Sequence, residues 1–117
     1  MAAERFDFTV EQGATFKWYI TINDPDAPTT PLNLTGYTVR SQARLKYEST
    51  TAAFTFVCTI QDQVTDMGKV LLYLTDETTA AIAKGRYVYD VELESSGGEV
   101  ARIYQGSITV SPEATRA

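Results

Sequence analysis

The chain has 117 residues, 44% hydrophobic, enough for one domain able to bury roughly two thirds of the surface its unfolded form exposes. Ten Lys and Arg stand against fifteen Asp and Glu, a net charge of −5, which argues against nucleic-acid partners. There is no histidine, the commonest general base and metal ligand, and the single cysteine, Cys58, excludes an internal disulfide.

No apolar run approaches the ~20 residues of a membrane span. The opening MAAERFDF has no apolar signal core, so export by a standard signal is not expected. Phe6, Phe8 and Val10 alternate with Asp7 and Thr9 as a first strand, and Glu11 to Ala14 make a turn. Phe16, Trp18, Ile20 and Ile22 then alternate with Lys17, Tyr19, Thr21 and Asn23, the cleanest period-two run in the chain. Trp18 is the expected centre of the core, with Phe16 and Ile20 beside it.

Asp24 to Pro31 carries three prolines and reads as an exposed loop outside any central strand. Asn23, Asp24 and Asp26 offer oxygens, but their spacing matches no calcium loop, and a plain turn is the simpler reading. Tyr37, Val39, Ser41, Ala43 and Leu45 form the inward face of the next strand. Its outer face carries Arg40, Arg44 and Lys46, a positive row on an acidic chain. Two readings apply: a solvated face, or a docking face for an acidic partner.

Phe54, Phe56, Cys58 and Ile60 alternate with Thr55, Val57 and Thr59, which turns Cys58 inward as a small core residue rather than a nucleophile. Val70, Leu72 and Leu74 mark another strand. Thr75 to Gly85 begins with a capping residue and early acids and ends in Lys-Gly, predicting a helix of about two turns. Tyr87, Tyr89, Val91 and Leu93 then alternate with Asp90, Glu92 and Glu94, and a Ser-Ser-Gly-Gly turn leads into a last strand ending near Val110. Tyr87, Tyr89 and Val91 belong to the expected core, and Gly106 marks an expected bulge. The alternation turns the large residues inward throughout and leaves no long apolar surface to cover. No phosphate-cradling loop, nucleophile elbow or cysteine pair is present, so neither catalytic nor cofactor-binding nor metal-binding residues are assigned, and an enzyme is not expected.

The ordered phrases FTVEQGATFKWYITIND, LNLTGYTVRSQARLKY, GKVLLYLTDETTAAIAKGRYVYDVEL and VARIYQGSITVSPEATR resemble small virion proteins of tailed bacteriophages. They are similar to the N-terminal immunoglobulin-like domain of phage baseplate upper proteins. The matching positions are Gln12 and Gly13; Leu34, Thr35 and Gly36; Thr78, Thr79 and Gly85; Tyr87, Tyr89, Asp90 and Val91; and Gly106, Val110, Thr115 and Arg116. The resemblance implies a virion structural protein of the tail or baseplate, assembled in the host bacterial cytoplasm. Its partners would be other virion proteins and copies of itself, with no nucleic acid, membrane or cofactor. A capsid decoration protein is the second reading. A carbohydrate-binding module for the host surface is the third, with Tyr19, Tyr47, Tyr73 and Tyr104 as candidate platforms. Together the elements predict residues 1–117 to be one all-β domain, an antiparallel immunoglobulin-like β-sandwich. It would hold about seven strands and one short helix before the C-terminal hairpin.

Overall fold

The computed structural model describes residues 3–114; Thr115 and Arg116 of the phage-like pattern lie outside them. The all-β expectation holds, with ten strand segments and one short helix among the described residues. They are β1 (Glu4–Arg5), β2 (Phe8–Glu11), β3 (Phe16–Thr21), β4 (Asn23–Asp24), β5 (Ala27–Pro31), β6 (Thr38–Arg44), β7 (Phe54–Ile60), β8 (Lys69–Leu74), α1 (Asp76–Ala80), β9 (Gly85–Glu94) and β10 (Val100–Ser111).

One curled sheet runs β1-β10-β9-β6-β7-β8-β3, with β2 also on β10. Strand β7 makes the curl. Its first half, Phe54 to Phe56, pairs with β6, and its second half, Val57 to Ile60, pairs with β8. The chain thereby folds the sheet over on itself, with β6, β9 and β10 in one layer and β3 and β8 in the other. The sheet is mixed rather than antiparallel throughout, because β1 and β2 run parallel to β10. A purely local pattern of apolar alternation carries no information on strand direction, which is why the sequence did not reveal it.

Between the layers, aromatic rings from the two ends of the sheet meet. Phe8 lies 5.2 Å from Phe16 and 5.1 Å from Trp18, and Phe6 stacks on Trp18 at 5.0 Å, centroid to centroid. Tyr89 closes the group edge-on to Phe8 at 4.9 Å. Below them Val10, Val70, Leu72, Val91 and Ile108 have no exposed surface. Of the expected core residues, Ile20, Tyr87, Tyr89 and Val91 are buried, whereas Phe16 and Trp18 are half-buried and pack against the core from its open side. Trp18 is therefore a rim residue of the aromatic group. The centre belongs to Tyr89.

Four local readings are corrected. The first strand is split, because the pairing along the free edge of β10 is interrupted at Phe6–Asp7 between β1 and β2. There the Phe6 N–H donates to the Gln105 carbonyl at 3.0 Å, and the Ser107 N–H donates to the Asp7 carboxylate at 2.9 Å. The proline segment is a small ribbon, β4 paired with β5, and not a loop. Prolines fit there because each strand of a two-stranded ribbon has an open side that needs no N–H. The helix is only five residues long. Thr75 caps it, accepting from the Thr78 N–H at 3.1 Å, but Ile82 is drawn into the core and ends the turn early. Finally, the register shift in β10 falls between Arg102 and Tyr104, not at Gly106. Gly106 serves a different need: an added Cβ would lie 2.3 Å from the Phe6 carbonyl oxygen, so only glycine admits the close approach of the Phe6–Asp7 segment.

Candidate docking surfaces

The expected positive row sits on the exposed face of β6, and the register of its neighbour decides its character. Arg40 lies directly opposite Glu92 on β9, and Thr38 opposite Glu94. The Arg40 guanidinium donates from Nε to Glu92 at 2.8 Å and from Nη1 to Glu94 at 2.6 Å. These two bonds raise the already high pKa of Arg40, so it stays charged. Arg44 donates to the Ser49 carbonyl at 3.0 Å and to Gln42 at 2.9 Å. Lys46 lies beyond the strand and is exposed. Arg40, Arg44 and Lys46 thus do not form a free basic patch. Arg40 is the positive half of a charge ladder whose negative half, Asp90, Glu92 and Glu94, is the neighbouring strand.

On the other side of β9, Arg102 approaches Asp90 at 3.3 Å. Burial, then repulsion by Glu92, pushes the Asp90 carboxyl above the ordinary carboxylate value, against the pull of Arg102. The face is locally balanced, which suits a solvated sheet surface. Arg40→Glu would set three carboxylates together. Its melting temperature is expected to fall in dilute buffer and to recover partly in high salt, which screens exposed charge repulsion. Thermal melts at two ionic strengths check this. A salt-independent loss would mean that the arginine acts by packing.

The opposite layer presents a different surface, which the sequence pattern concealed. On the outer face of β3, β8 and β7, Tyr19 stands across from Leu71, and Tyr73 stands between Lys17 and Val57. Tyr19 is 57% exposed and Val57 59%, with Leu71 and Tyr73 partly covered between them. Lys17 and Lys69 carry the basic charge of this face, and Lys69 has Asp66 at 3.6 Å. The expectation that no apolar surface is left to cover is corrected here. The signal was legible in Leu71 and Tyr73, which sit in β8 at the positions where polar residues were needed to make it one-faced.

The remaining candidates fall into separate places. Tyr104 packs edge-on to Trp18 at 5.2 Å, and Tyr47 is exposed near Gly106, so neither joins Tyr19 and Tyr73. Asp24 turns its carboxylate onto the Asp26 N–H at 2.9 Å, the geometry of an Asx turn. A groove of about 450 Å³ runs between this ribbon and β10, lined by Glu4, Asp24, Pro25, Pro28, Ile103 and Tyr104. Among the described residues no group of three or more acidic or cysteine side chains converges as metal ligands would.

Cys58 is partly buried in β7, and burial pushes its thiol up to about 11. The thiol form therefore dominates at neutral pH, and only the thiolate attacks. Alkylation of the folded protein at pH 7.5 is expected to be much slower than alkylation in denaturant. Equal rates would place Cys58 at the surface.

No protein-family model and no curated protein matches the chain. Among solved structures, an internalin-like protein of Listeria monocytogenes aligns with a TM-score of 0.47 and 18% identity. The alignment covers 93% of this chain and 28% of the other, so the chain spans less than a third of that protein's length.

Proposed function

We propose that the chain is a non-enzymatic structural component of a bacteriophage particle, in the tail or baseplate or as a fibre adaptor, that works by docking to other proteins. The observation that carries the docking role is the apolar outer face of β3, β8 and β7. Exposed Tyr and Val beside partly covered Leu and Tyr have the chemistry of an interface centre rather than of a solvated sheet. The phage assignment rests on the ordered sequence phrases.

An immunoglobulin-like sandwich is the fold reading within this proposal. In such domains strands B, E and D form one sheet and C, F and G the other. The pairing of β3 with β8 and the second half of β7, and of β6 with β9 and β10, follows that scheme. The parallel β1 and β2 are an addition on the outer strand.

A carbohydrate site is disfavoured by the same face. Sugar recognition needs hydrogen-bonding acids or amides beside the rings. Here Tyr19 and Tyr73 are flanked by Lys17, Thr21, Val57 and Thr59.

Particles purified from a host that carries the gene decide the matter. Mass spectrometry is expected to find the chain at a fixed copy number, and antibody labelling to place it on the tail. Labelling of the capsid would instead support a decoration protein. A chain absent from purified particles ends the phage reading.

A further inference from the structure

Strand β3 is an open edge. It pairs with β8 on one side and with nothing on the other among the described residues, because the N-terminal strands that could cover it go to β10 instead. The ladder settles which backbone groups are left over. The Ile22 N–H donates to the Gly68 carbonyl at 2.8 Å, continuing a register in which Phe16, Trp18 and Ile20 turn their backbone toward β8. Lys17, Tyr19 and Thr21 consequently turn their N–H and C=O groups outward, and their side chains lie on the outer face.

Proteins normally blunt such an edge with a proline, a bulge or an inward charge. The β3–β8 register from Phe16 to Thr21 is unbroken, and those six residues include no proline. The only charge on the strand is Lys17, at its start, which makes no ion pair among the described residues. Past its far end, beyond Ile22, the chain enters β4, whose Asp24 is the first acid after the strand. The edge is therefore basic at its beginning and acidic at its exit.

We infer that β3 is a self-association edge, taking the same strand of a second copy in antiparallel pairing about a two-fold axis at Tyr19. In that register Tyr19 faces Tyr19 of the second copy and Lys17 faces Thr21 of the second copy. Each outward N–H meets a carbonyl. Each Lys17 is directed toward the Asn23–Asp24 end of the other strand, whereas parallel pairing would align like ends. The two apolar faces then become one surface, with the tyrosine pair at its middle and Leu71, Tyr73 and Val57 to either side. A single strand pair is a small interface, so the dimer is weak and fast-exchanging. The inference does not depend on the particle role: the dimer and absence from a phage can both hold.

Sedimentation velocity from about 10 μM to 1 mM, the range in which such contacts show, tests it. Wild type is expected to shift from monomer to dimer as concentration rises. Tyr19→Lys and Tyr19→Glu each set like charges directly opposite at the axis. Each variant alone is expected to stay monomeric with a melting temperature close to wild type, since Tyr19 is exposed. An equal mixture of the two is expected to dimerise again. A wild type that stays monomeric throughout overturns the inference. So do variants that dimerise as wild type does, which would put the interface elsewhere, and a mixture that stays monomeric, which would rule out the two-fold register.

Discussion

Tyr89→Ala is expected to cost ~3–5 kcal/mol, the range for emptying a large aromatic site in a packed core. Tyr89 is 1% exposed and touches rings from both ends of the sheet, Phe8 at 4.9 Å and Trp18 at 6.2 Å. Its hydroxyl donates to the Phe6 carbonyl at 2.6 Å, so the same side chain fills the core and holds the break between β1 and β2. Burial drives the phenol far above its ordinary titration range, and the nearby Asp7 charge acts in the same direction, so the O–H remains a donor at any working pH. A domain of this size has only ~5–15 kcal/mol in total, so the variant is close to unfolding. Tyr89→Phe separates the two roles. It keeps the ring and strands the Phe6 carbonyl, with an expected loss of ~1–2 kcal/mol. Denaturant melts of both variants check the order. A Tyr89→Ala midpoint near that of wild type would remove Tyr89 from the centre of the core.

Much of this could be read from residues alone. Where one strand face meets the core and the other meets water, alternation reports both, as in β6, where Val39, Ser41 and Ala43 are buried and Thr38, Arg40 and Gln42 are exposed. The same logic over-reached at Leu45, assigned inward but 66% exposed, because the strand ends at Arg44 and the alternation no longer binds the residue to a face. Phe16 and Trp18 are on the inward face as expected, yet they lie next to an open edge, and only the three-dimensional arrangement tells that they are half-covered. The charge ladder was legible as two separate rows, Arg40 with Arg44 and Asp90 with Glu92 and Glu94. That the rows are adjacent depends on β6 pairing with β9 across some fifty intervening residues, which no local pattern encodes. The apolar outer face was legible only in part: Leu71 and Tyr73 break the one-faced alternation of β8, but that Tyr19 and Val57 lie beside them depends on pairing among three strands.

Gly106→Ala is expected to release the N-terminal strand while leaving the rest of the fold in place. Here space is at issue, not backbone torsion, since the added Cβ would fall 2.3 Å from the Phe6 carbonyl oxygen and 2.6 Å from the Asp7 carboxylate. Backbone cannot yield at that distance, so Phe6 and Asp7 must lift off β10. Three bonds go with them: Phe6 to Gln105, Ser107 to Asp7 and Tyr89 to Phe6. At about 1 kcal/mol for each bond lost, the expected destabilisation is ~2–4 kcal/mol. Gly97→Ala is the control, because its nearest neighbour, the Ser95 hydroxyl, is 3.8 Å away and the substitution should be tolerated. Hydrogen exchange locates the damage, with protection expected to vanish between residues 4 and 8 and to persist in β8 and β9. The wild type should show the same opening in acid. The Ser107 N–H, then the Arg5 charge, hold the Asp7 carboxyl below its ordinary value of 3.8. A carboxyl lowered on folding stabilises above its unfolded pKa, and that contribution disappears as pH falls through the folded value. Protection of the N-terminal amides should therefore weaken below about pH 4 in wild type. In Gly106→Ala there is no clasp left to titrate, so this pH dependence should be absent. If the variant keeps its N-terminal protection and its acid response, Phe6 and Asp7 do not approach Gly106 as closely as the structure has them.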